Sequence, residues 1–174
     1  HDRLMQKEPQ TIDNAALFQL ASELGLEKTA FDSCVASGRN AARVDRDIER
    51  GKKAGAQGTP SYFLNGRFGS GAAPVDVLKT NVEWFLEPSG QYPGQTDAAQ
   101  PPPQAQRPFM DPDKVYTFPA DWLEAGPSRG PKDAAVTIIE LLDYHCPYCQ
   151  KGTVTMDEIQ RRHPDVRLVS KQFP

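Results

Sequence analysis

The chain has 174 residues, and its 20 basic and 23 acidic side chains leave a net charge of −3 at pH 7. This length suffices for one domain with a sizeable buried core. The charge balance lacks the basic excess that nucleic acids and anionic membranes attract, so neither is expected as a partner. No run of about 20 apolar residues predicts a membrane span. Three cysteines are too few for a disulfide-stapled miniature fold, whereas 16 prolines are about twice the usual share.

Three amphipathic helices are predicted at residues 11–24, 29–38 and 41–53. Thr11 and Thr29 have the residue type that caps helix N-termini, and glycines follow both of these helices. The third helix carries charges on most of its surface and is expected to be largely solvated. The residues expected to face inward are Leu17, Phe18, Ala21, Leu24, Phe31, Cys34, Val35, Val44 and Ile48.

The pattern then changes to a β-hairpin and a further helix. Ser61 to Leu64 is strand-like, Asn65-Gly66 is a strong two-residue turn signal, and a second strand begins at Arg67. A helix is predicted over residues 74–86, since proline suits its first turn. Its inward side chains would be Leu78, Val82 and Phe85.

Residues 88–110 contain six prolines, no apolar period and almost no charge, which is typical of an extended linker. Structure is expected to resume with an edge strand over residues 115–118. The most apolar β-rich run, residues 136–142, predicts a central buried strand. A helix from Cys146-Pro147 to Arg162 and a strand over residues 166–169 would complete a right-handed βαβ unit. The helix would turn inward Val154, Met156 and Ile159.

The sharpest chemical motif is Cys146-Pro147-Tyr148-Cys149. Two thiols at this spacing share a helix face and can form a disulfide. Cys146 lies at the helix N-terminus, where unpaired N–H groups stabilise a thiolate, so it would be the nucleophile. Cys149 lies deeper and would resolve the mixed disulfide. Half of a zinc site or a purely structural disulfide are the alternatives; a second CxxC or CxxH is absent.

Two stretches resemble DsbA-like thioredoxin-fold proteins. Residues 136–149 look like the active-site strand and CxxC helix of that family, and residues 55–66 look like its cis-proline loop and hairpin. Phe31-Asp32-Ser33-Cys34 matches a helix of the family's inserted helical subdomain. The resemblance covers most of the chain except residues 88–110. It implies an α/β, thioredoxin-like fold with an incomplete helical insertion.

The resemblance also implies roles for residues around the cysteine pair. Thr59-Pro60 would be the cis-proline loop, which binds extended substrate and keeps metals off the thiols; the alternative is an ordinary trans proline. Glu140 would be the buried acid that relays the proton of Cys149, or else a solvated carboxylate at the strand end. His145 would donate to the Cys146 thiolate or simply face solvent. Cys34 is expected to be a small core residue, and no cofactor or metal is implied.

The order of the elements departs from the family. Residues 1–87 match the C-terminal half of a DsbA-like module, and residues 111–174 match the N-terminal half with the CxxC helix. The first part of the insertion is missing, so the chain is expected to be a tandem fragment or a circular permutant. About twenty linker residues reach roughly 25 Å, enough to join the halves within one chain. A domain-swapped dimer is the alternative.

These features predict thiol:disulfide exchange on cysteine-containing protein substrates, with an unidentified redox-recycling partner. Pro147-Tyr148 supplies no imidazole, so a less oxidising pair is expected than the Pro-His pair of the family's strongest oxidants. A glutathione-dependent, glutaredoxin-like reductase and a non-catalytic peptide-binding or chaperone module are the alternatives. The N-terminal segment HDRLMQKEPQ lacks signal-peptide features. The expected location, periplasmic or cell-envelope, therefore depends on the resemblance alone.

Overall fold

The computed structural model describes residues 1–87 and 110–174, and the predicted linker at 88–110 lies, apart from Met110, outside the described residues. The described residues form one mixed sheet of six strands in the order β3-β2-β1-β5-β6-β4. The strands are β1 (Ser61–Leu64), β2 (Arg67–Ser70), β3 (Met110–Val115), β4 (Ser128–Arg129), β5 (Thr137–Leu142) and β6 (Arg167–Gln172). Only the β5–β6 pair is parallel among these neighbours.

Seven α-helices accompany the sheet in the described residues. They are α1 (Asp2–Met5), α2 (Asn14–Glu23), α3 (Lys28–Ala36), α4 (Ala41–Lys53), α5 (Val75–Leu86), α6 (Ala120–Glu124) and α7 (Pro147–Arg162). Helix α7 connects β5 to the parallel strand β6, which confirms the predicted βαβ unit. None of the helices in the described part of the chain is both long and apolar enough to cross a membrane.

The two faces of the sheet carry separate apolar clusters because side chains alternate along each strand. On one face, which we call the α7 face, Tyr62 and Ile138 pack with side chains of α5 and α7, including Leu78 and Met156. On the opposite face Phe63, Ile139, Leu141, Val169 and Phe173 pack with Trp122 of α6. The sheet is therefore sandwiched between helices, in a mixed α/β arrangement.

The hairpin and the central strand follow the sequence prediction. Asn65 and Gly66 both have positive φ, 45° and 83°, as a two-residue turn between right-twisted strands requires. The Asn65 side chain also fixes the start of β5, because its Oδ1 accepts from Thr137 N at 2.8 Å and its Nδ2 donates to the Ala135 carbonyl at 3.0 Å. Strand β5 lies between β1 and β6 in the middle of the sheet, as predicted.

Two predicted helix caps are wrong. Asp13 caps α2, with its side chain accepting from Ala16 N, and Thr11 lies in a preceding 3-10 turn. Glu27 caps α3 by accepting from the backbone N–H groups of residues 29 and 30, so Thr29 lies inside the helix. A carboxylate can serve both functions of a cap, since it accepts hydrogen bonds and its charge is favourable at a helix N-terminus.

Several side chains expected to face inward are exposed. These are Phe18, Leu24, Val35 and, on α7, Val154. Helix α3 has no buried residue, so Cys34 is half-exposed rather than a core residue. Conversely, α4 buries Asp47 and Gly51 and is less solvated than expected. Apolar spacing alone did not reveal that α2 and α3 contact mainly each other, with only part of α2 reaching the core.

The last part of the chain contains elements that the sequence prediction misplaced or omitted. The edge strand is Met110–Val115, which ends where the predicted strand of residues 115–118 begins. Helix α6 and the short edge strand β4 were not predicted, and neither was α1. All three omitted elements have five residues or fewer, which is too short for a periodic apolar pattern to develop.

Candidate active site

The CxxC segment forms the first turn of α7 directly after the central strand. Cys146 is the N-cap residue, and its Sγ accepts a hydrogen bond from the Cys149 backbone N–H at 3.3 Å. Pro147 occupies the first helical position, where the missing N–H costs no intrahelical bond. Cys146 is partly exposed, whereas Cys149 is fully buried. The structure thus presents one thiol to solvent and holds the other beneath it.

The loop before β1 closes over the exposed thiol. The Thr59–Pro60 peptide bond is cis, and the Cys146 thiol donates to the Thr59 carbonyl oxygen at 3.5 Å. Beside this loop lies an open groove of about 430 Å³. Its lining comes from the Gly55–Ser61 loop and from strand β2, namely Gly55, Gln57, Gly58, Thr59, Pro60, Ser61, Phe68, Ser70 and Gly71. Residues that are 87 positions apart in the chain therefore meet at the redox motif.

The two thiols have opposite acidity. Partial burial tends to raise the pKa of Cys146, but hydrogen bonds involving Thr59, Cys149 and the backbone of Tyr148 outweigh burial and lower that pKa below the usual thiol value. Burial raises the pKa of Cys149 far above the usual value, and the neighbouring Cys146 raises it further. A thiolate therefore forms more readily on Cys146 than on Cys149.

Glu140 lies inside the protein on β5, on the α7 face. It is 5% exposed, and its Oε1 has no hydrogen-bond partner among the described residues. Burial raises the pKa of this carboxyl to about 8, despite the opposing charge of Arg129. Oε1 lies 3.6 Å from the position that a Cβ on Gly152 would take, one helical turn after Cys149. Glu140 is thus a buried acid under the redox helix rather than a solvated carboxylate.

Tyr62 is a site residue that the sequence analysis did not single out. It pairs with Glu140 in the β1–β5 register and is fully buried on the α7 face. Burial raises its pKa well above the usual phenol value, and charges on Glu140, Cys149 and Cys146 raise it further. The sequence does indicate its proximity to the site, because Tyr62 follows Pro60 by two residues and side chains at this spacing lie on one face of an extended chain.

The N-terminal segment covers the redox helix, which was also not predicted. Met5 packs with Leu142 and Cys149 in a small buried cluster. The Gln150 side chain donates to the Lys7 carbonyl, and a ring nitrogen of His145 lies 3.0 Å from the Ile12 carbonyl oxygen. His145 is thus exposed and directed at this segment rather than at the Cys146 thiol.

Tyr148 is exposed, and the third cysteine, Cys34, is half-exposed. Tyr148, between the two cysteines, is 61% exposed, and the Lys151 ammonium group lies 5.5 Å from the centre of its ring. Cys34 lies on α3, where its Sγ contacts the Asn40 side-chain amide at 3.8 Å. Within the described residues no three histidine, cysteine or acidic side chains cluster as a metal site.

Comparison with known protein families gives a match to the N-terminal part of the chain. The model of the DSBA-like thioredoxin domain matches residues 1–83, which span α1 to most of α5 and include the Thr59–Pro60 loop. This match, over slightly less than half of the chain, supports a DsbA-like thioredoxin fold. Domains of this family are generally thiol:disulfide oxidoreductases and typically extracytoplasmic. The match ends before the cysteine pair at residues 146–149.

Two curated proteins also show local similarity. The Na(+)/H(+) antiporter NhaA 3 of Salinispora tropica is 37% identical over 46 residues, and the Na(+)/H(+) antiporter NhaA of Herminiimonas arsenicoxydans is 36% identical over 47 residues. Each alignment covers 26% of this chain, and the chain spans only 7% and 8% of the respective antiporters. No solved structure matches at the same level of significance.

Proposed function

We propose that the protein catalyses thiol–disulfide exchange on cysteine-containing protein substrates, with Cys146 as the nucleophile and Cys149 as the resolving thiol. The observation that carries this proposal is the difference between the two thiols. One is partly exposed with a lowered pKa at the start of α7, and the other is buried with a raised pKa beneath it. Exchange requires such a pair, because the first sulfur must be accessible to the substrate, whereas the second reacts only with the first sulfur once the mixed disulfide has formed.

In the reductive direction, the Cys146 thiolate attacks one sulfur of a substrate disulfide. A mixed disulfide forms, and the other substrate sulfur leaves as a thiolate that takes up a proton. The Cys149 thiolate then attacks Cys146 Sγ, forming the Cys146–Cys149 disulfide and releasing the second substrate thiolate. The substrate is reduced and the protein is oxidised by the same two electrons. Oxidation of a substrate dithiol is the reverse sequence, and an external redox partner would recycle the pair.

The second step needs a base, since Cys149 is buried and its pKa is raised. Glu140 is the buried carboxyl under the same helix, and its pKa of about 8 places its ionisation near neutral pH. A base whose pKa lies near the working pH combines a useful population of the ionised form with useful proton affinity. We assign Glu140 as the acceptor of the Cys149 proton and its donor in the reverse direction.

Substrate binding is assigned to the Thr59–Pro60 loop. The groove beside this loop adjoins the Cys146 thiol and is open enough for an extended peptide segment. A peptide in this groove would bring its disulfide close to Cys146 while Tyr148, exposed between the cysteines, supplies an aromatic contact. Pro147 sets the first turn of α7, and His145 supports the preceding loop through Ile12.

An insulin-reduction assay and a dithiol-peptide oxidation assay test this proposal. Wild type should be active in at least one direction, and Cys146→Ser should reduce that activity to background. Cys34→Ser is the matched control, since it removes the only other thiol, at a surface position on α3, and should leave the rates unchanged. Equal rates for wild type and Cys146→Ser would refute exchange.

The same proteins separate the alternatives. A non-catalytic peptide-binding module would suppress aggregation of an unfolded client equally well as wild type and as Cys146→Ser. A glutathione-dependent reductase would act on glutathionylated peptide in preference to insulin. As a DsbA-like protein it is proposed to work in the periplasm or cell envelope, where protein disulfides persist.

A further inference from the structure

We propose that Tyr62 is a positioning residue of the redox site, whose buried hydroxyl donates a hydrogen bond to Glu140 Oε1 and thereby orients that oxygen and stabilises its ionised form when Cys149 is deprotonated. This inference rests on the proposed exchange function and extends it to a residue outside the CxxC motif and the Thr59–Pro60 loop.

The sheet register brings the two side chains together. Tyr62 and Glu140 are Cα partners across the antiparallel β1–β5 pair. Directly opposed residues project to the same face of a sheet and lie within reach of each other. Both are buried on the α7 face, at 0% and 5% exposure, so neither group can use bulk water as its partner.

Gly152 marks where the two oxygens converge. A Cβ at this position would lie 2.5 Å from Tyr62 Oη and 3.6 Å from Glu140 Oε1. The phenol and the carboxyl therefore border the same point on α7, one turn beyond Cys149. A side chain there would displace the hydroxyl, so the glycine leaves room for Tyr62 to reach the carboxyl.

The protonation state of each group determines that Tyr62 donates the hydrogen bond and that Glu140 accepts it. Tyr62 keeps its proton over the whole working range, because burial and the charges on Glu140, Cys149 and Cys146 oppose its ionisation. Within residues 1–87 and 110–174, Glu140 Oε1 is a buried acceptor without a hydrogen-bond partner, and leaving such a group unsatisfied is costly. A phenol that keeps its proton, and that borders the same point beside Gly152, can supply this donor.

The other charged groups near Glu140 do not replace this donor. Arg129 of β4 and Asp157 of α7 act on the carboxyl with opposite signs and form an ion pair with each other at 2.8 Å. The register partner on β6, Ser170, does not titrate. In the part of the chain that the structure describes, Glu140 also acts on two phenols, the buried Tyr62 and the partly buried Tyr144.

The test uses Ellman's reagent in a Cys34→Ser background, which removes the third thiol so that the two thiol steps can be separated. Attack by Cys146 releases one thionitrobenzoate, and resolution by Cys149 releases the second, so stopped-flow absorbance follows both phases from pH 5 to 9. A donor to the carboxylate favours ionisation. Its loss in Tyr62→Phe should raise the pH midpoint of the second phase by about one unit and slow that phase about tenfold below the midpoint. The first phase should change little.

Tyr116→Phe is the matched control, because Tyr116 packs on the opposite face of the sheet against Phe63. It should leave both phases unchanged. An unchanged second-phase midpoint in folded Tyr62→Phe would overturn the role of Tyr62 while leaving the exchange proposal intact. Absence of any Cys146-dependent phase in wild type would instead overturn the exchange proposal.

A measurement on the unmutated ring keeps the inference testable if Tyr62→Phe does not fold. The ¹³Cζ resonance of Tyr62 should titrate with the Glu140 midpoint in wild type and should be flat in Glu140→Gln. A resonance that is flat in wild type as well would overturn the hydrogen bond.

Discussion

Replacing Glu140 by glutamine should stabilise the protein in a pH-dependent manner. The side chain is buried, and its pKa lies at about 8 instead of the ordinary 4.5. Because the folded-state pKa is raised, the folded protein binds this proton more tightly than the unfolded chain does. Stability therefore falls as pH rises from about 4.5 to about 8, and the full penalty of the buried charge is present above pH 8.

The magnitude follows from the two pKa values. Their separation of 4.5 and about 8, at about 1.4 kcal/mol per unit, corresponds to a penalty on the order of 4–5 kcal/mol above pH 8. A glutamine side chain is nearly the same size as the glutamate it replaces and cannot ionise. Relative to wild type, the variant should therefore gain several kcal/mol between pH 5 and pH 9, and most of that gain should appear between pH 6 and pH 8.

Urea denaturation at pH 5, 6, 7, 8 and 9 measures this gain. Both proteins should carry Cys146→Ser and Cys149→Ala, so that thiol ionisation does not contribute. Glu49→Gln is the control, since Glu49 is exposed on α4 and is ionised in both states throughout this range. A difference between Glu140→Gln and its parent that stays constant with pH would refute the assignment of Glu140 as a buried acid with a raised pKa.

Asp47→Ala should lower the free energy of unfolding by roughly 3 kcal/mol, as measured by urea denaturation. The change removes the 2.5 Å hydrogen bond from Trp122 Nε1 and leaves the charge of the buried Lys171 less compensated. The control Asp45→Ala, at an exposed position, should cost under about 0.5 kcal/mol. Titration against glutathione should place the reduction potential between about −270 and −120 mV; a lower value would contradict the effect expected of Pro147-Tyr148. In a Cys34→Ser background, iodoacetamide should modify Cys146 with a midpoint below about 8.5 and leave Cys149 unmodified in the folded protein.

Local signals in the sequence predicted the parts of the fold in which short-range chemistry determines structure. Asn65-Gly66 has the residues that a positive-φ turn demands, and the hairpin forms there. Pro147 and Cys146 give α7 its first turn and N-cap, as expected. The long apolar run of residues 137–142 could only be a buried strand or a buried helix, and its β-branched residues favoured the strand.

What the sequence did not predict depends on contacts between distant residues. The partnership of Tyr62 with Glu140 requires the β1–β5 register, which neither strand specifies alone. The buried group of Asp47, Trp122 and Lys171 joins α4, α6 and β6. Each of these residues has a type that is usually exposed or only partly buried, so burial could not be inferred locally. The N-terminal cover over α7 packs through Met5 and accepts its hydrogen bonds through backbone carbonyls, which have no side-chain signature.

Packing on the opposite face of the sheet stabilises the β1–β5 register that pairs Tyr62 with Glu140. Phe63 alternates with Tyr62 along β1 and packs against the rings of Phe68, Tyr116 and Phe118 at centroid distances of 5.3, 5.7 and 4.8 Å. A slip of one residue would turn Tyr62 into that aromatic cluster and Phe63 towards Glu140. It would lose these ring contacts and place an apolar ring where the buried carboxyl needs a polar partner. The aromatic cluster therefore supports the redox site from the opposite face of the sheet, and its member Phe68 also lines the groove beside the Thr59–Pro60 loop.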